Sequence, residues 1–380
     1  MRGFSEAEFH NRRDRAQDMM AEAGLAALLL TTEPELRYYS GFLTRFWESP
    51  TRPWFLILPD SGDPIAVVPS IGANLMSQTW IRDIRTWRAP DLGDDGVSLL
   101  RDTLHEVAAG GPIGLASGME SHVRAPLSTV LALQDTLHLT SDADITRSLR
   151  LTKSPAEIGK IRTACEIADR AFARVGEIAR VGVPLEQVFR RFQMLCLEEG
   201  ADWVPYLAGA AARDGYGDVI SPATETPLAK NDVLMLDTGL VHDGYFCDFD
   251  RNFSVGPPTQ LVAGTHSRLI EATEAAFDLC KPGATTAELF HAMDAICTGG
   301  AGGSGAGRLG HGLGMQLTEW PSIIPTDRTT LQPGMVLTLE PGIETLPGKM
   351  LVHEENIVIT ETGAEYLSRP AHPDILELGT

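Results

Sequence analysis

Apolar residues recur at three- and four-residue steps over some stretches of the chain and run uninterrupted over others, which marks out helices and buried strands in turn. Residues 5–23 read as a helix, and the apolar run at 26–31 follows as a buried strand. A second run, Trp54-Phe55-Leu56-Ile57-Leu58-Pro59, leads through a Gly/Asp turn to a third at 64–68, and 112–116 supplies another. Between the first two strands lie Arg37-Tyr38-Tyr39-Ser40-Gly41-Phe42 and an aromatic, basic loop, Arg45-Phe46-Trp47-Glu48-Ser49-Pro50. This alternation predicts an α/β domain over residues 1–150.

A new helix is signalled after Arg150, with Ser154 as its cap and Pro155 at its first position. Ile158, Ile161, Cys165, Ala168, Phe172, Val175 and Ile178 then share one helical face. A second helix follows Gly182-Val183-Pro184 over 185–197, and strands come next. The order then repeats, with helices expected at 267–280 and 286–297. Val188-Phe189 and Leu289-Phe290 fall at equal distances after Gly182 and Gly283. That symmetry predicts two related αα-ββ halves within residues 151–380, facing each other with a site where they meet. The glycine-rich stretch 299–307 reads as an unstructured connector or mobile loop and carries no GxGxxG fingerprint.

Composition narrows the function. At 380 residues the chain exceeds what one compact core usually supports, which fits two domains. It carries 51 acidic against 31 basic residues, a formal charge of -20. Such a surface repels nucleic acid and anionic membrane, and no Lys/Arg cluster reverses the sign locally. The apolar stretch at 26–30 is too short to span a bilayer, and Met1-Arg2-Gly3-Phe4-Ser5-Glu6 lacks the apolar core of a signal peptide. Cys165, Cys196, Cys247, Cys280 and Cys297 are scattered without CxxC spacing, which points to reduced thiols and a cytoplasmic location.

The chemistry lies in five segments. Val233-Leu234-Met235-Leu236 reads as a strand ending at Asp237, and Asp248 follows after a turn. A strand, a turn and a return strand would bring the two aspartates side by side, an arrangement that costs several kcal/mol unless a cation sits between them. Asp243 and Asp250, by contrast, read as turn and surface residues. Gly310-His311-Gly312 places a histidine where nothing shields its imidazole. Glu340 ends the apolar strand that begins at Gly334, and Glu354-Glu355 opens another strand over 352–359. A carboxylate at an apolar strand end is an expensive place to keep a charge. Two Asp, one His and two Glu make a credible cage for two divalent metal ions.

These segments resemble those of the creatinase/aminopeptidase family of M24 metallopeptidases, which includes methionine aminopeptidase, aminopeptidase P and prolidase. Asp237, Asp248, His311, Glu340 and Glu354 occur in that family's order, and Arg251 stands where the family usually has Arg. The resemblance implies a C-terminal pita-bread α+β catalytic domain over 151–380, behind a smaller N-terminal creatinase-like α/β domain over 1–150. It implies a metallohydrolase of the Xaa-Pro dipeptidase class, acting on a small peptide or amide through a hydroxide bridging two metal ions. Glu340 would accept its proton, with His311 beside it. Manganese is the first choice of metal, and cobalt, iron and zinc suit the same ligands. A cytoplasmic homodimer is implied as well. In such dimers the N-terminal domain of one partner can close over the other's site, so that Arg45, with Trp47 beside it, could bind a substrate carboxylate. Arg213 is a further anion-binding candidate.

The chain departs from the family's peptidases in one respect. Those enzymes carry two further histidines that handle the scissile amide and the leaving group. One lies about seventeen residues before the first metal aspartate, yet no histidine occurs between Trp203 and Val241. The other falls seven residues after the metal histidine, where this chain has Thr318. Threonine cannot shuttle a proton near neutral pH. His242, in the turn between the aspartates, and His353, before Glu354, are candidates to compensate. His242 also reads as a solvated turn residue, and strand alternation turns His353 away from Glu354. Glu319 and Glu355 are candidates to orient ligands. The missing histidines favour an alternative: a member of the fold that cleaves a C–N or C–S bond of a small metabolite, in the manner of creatinase, ectoine hydrolase or a sulfonium lyase. A catalytically silent binding module would leave the five ligand types unexplained.

Overall fold

The structure, a computed structural model, describes residues 2–49, 53–303, 305 and 307–379. Pro50 of the aromatic loop, and Ser304 and Ala306 of the glycine-rich stretch, lie outside the described residues. The chain separates into two compact units, Met1–Arg150 and Leu151–Thr380.

In the first unit, α1 (Glu6–Ala23) starts on Ser5, whose hydroxyl accepts from the Glu8 N–H, and ends on Gly24. β1 (Ala27–Leu30), α2 (Glu33–Ser40), β2 (Phe55–Pro59), β3 (Ile65–Pro69), the short α3 (Ala73–Met76), β4 (Asp83–Trp87), α4 (Val97–Ala108), β5 (Ile113–Leu115), α5 (Leu127–Gln134), β6 (Leu139–Ser141) and α6 (Ile145–Leu151) follow. The strands form one mixed sheet in the order β4-β3-β2-β1-β5-β6. Every residue of β1, β2 and β3 is buried, which is why they read as unbroken apolar runs rather than alternating ones. Sequence reasoning missed α2. It opens with a capping box of Thr32 and Glu35 and a proline in its first turn, and it buries Leu36, Tyr38 and Tyr39.

The second unit begins with α7 (Pro155–Ala173), closed at its start by a capping box between Ser154 and Glu157. The helix expected to reach Ile178 stops at Ala173 and passes into a single tighter turn at Val175–Glu177. α8 (Leu185–Glu198), β7 (Trp203–Arg213), β8 (Asp232–His242), β9 (Tyr245–Phe246) and β10 (Phe249–Val255) complete the first half. α9 (Gln260–Leu279) starts seven residues earlier than its pattern suggested, because Thr259 caps it and accepts from the Val262 N–H at 3.2 Å. α10 (Thr286–Cys297), β11 (His311–Gly312), β12 (Glu319–Ser322), β13 (Val336–Leu339), β14 (Gly342–Leu346), β15 (Lys349–Val352), β16 (Glu355–Ile359), β17 (Ala364–Tyr366) and β18 (Leu376–Leu378) make the rest. The described residues of 299–307 belong to no helix or strand.

The repeat visible in the sequence is repeated in the hydrogen bonding. Gly182 N–H donates to the Leu228 carbonyl, Leu228 N–H to Val183, and Leu185 N–H to Thr226. In the second half Gly283 N–H donates to Leu331, Leu331 N–H to Ala284, and Thr286 N–H to Thr329. Each half therefore anchors the start of its second helix to the segment leading into its central strand. The first half builds β10, β8 and β7, with β18 from the end of the chain added at the β10 edge, and the second half builds β12-β11-β13-β16-β17. Leu269, Ala272, Leu289, Met293, Met335, Leu337 and Ile357 pack together in the core of this unit. No helix among the described residues is long and apolar enough to cross a membrane.

Candidate metal centre

β8 carries Asp237 at its centre, not at its end as its pattern suggested, and continues through Thr238-Gly239-Leu240-Val241 to His242. β10 runs antiparallel beside it in a register that sets Asp250 opposite Asp237. Asp248 lies just before β10. In the other half β13 ends one residue before Glu340, and β16 begins one residue after Glu354. Leu339 pairs with Glu355 across that ladder, so Glu340 and Glu354 flank one end of the strand pair. The strand expected over 352–359 thus begins only at Glu355.

His311 opens β11, which lies between β12 and β13. Its N–H donates to Thr338 Oγ1 at 3.1 Å. Gly310 before it has φ +138°, and a Cβ there would stand 2.3 Å from the Thr338 carbonyl oxygen, so only glycine lets the strand approach this closely.

Among the described residues, Asp248, His311 and Glu354 each offer a ligand atom within 4.8 Å of the others, and all three are buried. His311 Nδ1 lies 2.8 Å from the Gly312 carbonyl, which makes Nδ1 the protonated nitrogen and leaves Nε2 with a bare lone pair. That lone pair faces Asp248 Oδ2 at 3.4 Å. Burial first, and then the Arg308 charge, push the imidazole down to about 4, so it is neutral at pH 7. With Asp248 ionised, as a metal ligand is, the two face each other as acceptors with no proton to share.

The remaining carboxylates deepen the imbalance. Burial pushes the Asp237, Asp248 and Glu354 carboxyls well above their usual range, and the negative charges of their neighbours push further. Glu340 is pushed up to about 7 by burial, with Arg308 pulling the other way. Asp237 Oδ1, Asp250 Oδ2 and Glu354 Oε1 are buried with no hydrogen-bond partner. An unsatisfied buried polar atom costs about 1–3 kcal/mol, and a charged one more. Oxygen donors with one imidazole nitrogen fit divalent cations of hard to borderline character, so Asp237, Asp248, His311, Glu340 and Glu354 could hold such ions.

Other groups hold this set in place. Tyr206 on β7 donates its hydroxyl to Asp237 Oδ2 at 2.9 Å. Asn356 accepts from the Asp248 N–H at 2.9 Å and donates to the Asp248 carbonyl. Arg251 binds the Glu354 carbonyl at 3.1 Å and the Glu355 carboxylate at 3.0 Å. Glu319 pairs with buried Lys153 at 3.1 Å and accepts from the Met315 and Gln316 N–H groups, fixing the turn beyond His311. Both glutamates named as candidate orienting groups, Glu319 and Glu355, are thus held by ion pairs close to the ligand candidates.

The substrate-binding candidates are scattered. His242 lies five residues from Asp237 along β8, about 16 Å away, with its side chain on the opposite face. Arg213 pairs with Asp232 at the other end of the same strand, is largely exposed, and lies 3.6 Å from Asp214 Oδ2. Neither joins the acidic cluster. His353 is buried between carboxylates, 3.6 Å from Asp250 and 3.2 Å from Glu355, and faces no open space. Thr318 lies 3.4 Å from Arg308 Nη2. In the first unit, Arg45 pairs with Glu48 at 2.8 Å, while the Trp47 ring packs beside Trp54 and under Arg124.

Sequence reasoning missed Asp250, Tyr206, Arg308 and Asn356. Two of them left a trace. Asp250 shares the strand face of Asp248 in Asp248-Phe249-Asp250, and Asn356 is the lone amide in an apolar strand, where an unpaired polar group is costly. Tyr206 and Arg308 left no such pattern.

Comparison with known proteins shows the family of the chain. Residues 159–361 match the metallopeptidase family M24, and residues 12–152 match the creatinase/prolidase N-terminal domain. The probable dipeptidase PepE of Mycobacterium tuberculosis is 30% identical over 384 residues, covering 98% of this chain and 97% of that protein. An Xaa-Pro dipeptidase of Pyrococcus furiosus is 32% identical over 229 residues, 60% of this chain and 65% of its own length. Among solved structures, the dipeptidase PepE from Mycobacterium ulcerans superposes with a TM-score of 0.85 at 27% identity, over the whole of both chains. The prolidase from Pyrococcus horikoshii OT3 shares the fold, with a TM-score of 0.81 at 24% identity over 95% of this chain and 99% of that one.

Proposed function

Because this chain belongs to the metallopeptidase family M24 and carries a creatinase/prolidase N-terminal domain, we propose that it hydrolyses Xaa-Pro or related dipeptides with two divalent cations held by Asp237, Asp248, His311, Glu340 and Glu354. The observation that carries this reading is the confrontation of His311 Nε2 with Asp248 Oδ2 at 3.4 Å among buried, unpartnered carboxylate oxygens. Bound cations of this kind lower the pKa of water towards neutrality and polarise a carbonyl. The side chains do the rest. Glu340 is less buried than Asp248 and Glu354, and its carboxylate takes the proton that hydrolysis releases and returns it to the leaving amine. Tyr206 keeps Asp237 oriented through its hydroxyl. Manganese is the first choice, with cobalt, iron and zinc compatible with the same donors.

The reading includes a homodimer in a reducing cytoplasm. The dimer comes from the family resemblance; the compartment is supported by five buried cysteines, none of them in a disulfide.

One observation favours a second reading, cleavage of a C–N or C–S bond in a small metabolite. His311 is the one histidine in the metal-capable group among the described residues, and Thr318 beside Arg308 offers no proton near pH 7. A panel of Xaa-Pro dipeptides, small amides and osmolytes, assayed with Mn2+ or Co2+, separates the two. Turnover of at least one dipeptide is expected; turnover of amides or osmolytes alone selects the second reading.

A further inference from the structure

Beneath the acidic cluster lies a second layer of buried charge that the proposed chemistry does not use. Asp250, His353 and Glu355 are each 1% exposed. Asp250 stands opposite Asp237 in the β8–β10 ladder. Its Oδ1 accepts the Glu354 N–H at 3.2 Å and lies 3.6 Å from His353 Nδ1. The other ring nitrogen, Nε2, lies 3.2 Å from Glu355 Oε1. Glu355 is tied in turn to Arg251 at 3.0 Å, to the Ser368 hydroxyl and to the Ala371 N–H at 2.8 Å. The His353 backbone N–H is held by the Pro341 carbonyl at 3.1 Å, next to Glu340.

The chain of contacts therefore runs from Arg251 through Glu355 and His353 to Asp250, and ends on the backbone of Glu354. A carboxylate ligand reached through its own N–H is held at its main chain, so its side chain keeps one direction when charge in the cluster changes. The same contacts set the His353 imidazole between two buried carboxylates, 3.2 Å from Glu355 and 3.6 Å from Asp250, so that the ring spaces them apart.

We propose that Asp250 and His353 are positioning residues that fix Glu354 within the Asp248–His311–Glu354 group. His353 is therefore not a substrate contact, and Asp250 is not the surface residue its position in the sequence suggests. The proposal rests on the metal-site reading but not on any particular substrate.

Metal binding, measured apart from catalysis, tests it. The metal-free protein is titrated with Co2+, following stoichiometry, the dissociation constant of each binding step and the visible absorption of the bound ion. Asp250→Ala is expected to weaken one of the two steps by about ten- to hundred-fold and to shift the Co2+ spectrum, as loss of an outer hydrogen bond to a ligand does. The thermal midpoint of the metal-free variant should fall too little to account for that loss. Asp250→Asn keeps an oxygen acceptor of the same shape and should restore most of the affinity. Wild-type affinity in Asp250→Ala, an Asn variant as weak as the Ala variant, or equal weakening of both steps overturns the proposal. If Asp250→Ala does not fold, His353→Ala carries the same expectation and the same refutation. Wild-type protein that binds no Co2+ would instead overturn the metal reading itself.

Discussion

Asn356 grips the backbone of Asp248 on both sides, accepting its N–H at 2.9 Å and donating to its carbonyl, across 108 residues of sequence. One side-chain amide thus satisfies both polar groups of a buried main-chain unit and joins the two halves of the catalytic unit at a ligand candidate. Replacing Asn356 with Ala leaves that N–H and C=O buried without partners. The metal-free variant should lose about 2–4 kcal/mol of stability in urea unfolding. A loss under about 0.5 kcal/mol, the range of a neutral surface substitution, would contradict this account.

Asp248→Asn removes the negative charge facing the His311 lone pair at 3.4 Å. Protein purified without chelator should contain about two transition ions per chain, as a two-metal site requires, and this variant should lose most of that content. Elemental analysis of both proteins decides the matter, and equal metal in the two sinks the ligand assignment.

Glu340→Gln keeps the size and hydrogen bonding of the side chain but cannot accept a proton. At saturating metal, kcat on the best dipeptide should fall by about 10²–10⁴-fold while KM changes far less. A variant with wild-type kcat would remove Glu340 from the proton-transfer role.

The acidic cluster makes the metal-free protein sensitive to pH. Glu340 has its folded pKa raised from 4.5 to about 7, mainly by burial, so the folded state holds that proton more tightly than the unfolded chain does. Its stabilising contribution is complete below about pH 4.5 and disappears as pH rises through about 7. Asp237, Asp248 and Glu354, also raised, act in the same direction. Glu355, lowered to about 2 against the opposing effect of burial chiefly by the Arg251 charge, changes its contribution only below pH 4.5 and leaves the window above it unaltered. His311, lowered from 6.5 to about 4, acts in the opposite direction below pH 6.5, so in EDTA the thermal midpoint should fall between about pH 6.5 and pH 8, and Mn2+ should flatten the profile. A metal-free protein that gains stability over that range would show that the cluster is not frustrated.

Much of the fold and of the candidate site was legible in the chain alone. Buried strands announce themselves as unbroken apolar runs, as at Ala27–Leu30 and Phe55–Pro59, because burial on both faces removes any need for polar alternation. Asp248, Glu340 and Glu354 stood out because a charge beside apolar strands is costly unless a cation or a partner compensates it, and His311 because glycines flank it, although the structure buries its imidazole. The helix start at Ser154 was legible too, since a capping side chain followed by proline at the first helical position is a local signal.

What the sequence left undecided depends on partners far away in the chain. Whether Asp250 faces solvent or Asp237 is set by the β8–β10 register, which the whole apolar face of the sheet determines. His353 and Asn356 acquire their roles only where strands from opposite halves meet, and the reach of Arg308 into the cluster follows from the path of the backbone before His311. Composition and periodicity fix what each segment can bury. Which polar groups then confront one another is decided by long-range packing, because their pairing energy is small beside the apolar burial that sets the register.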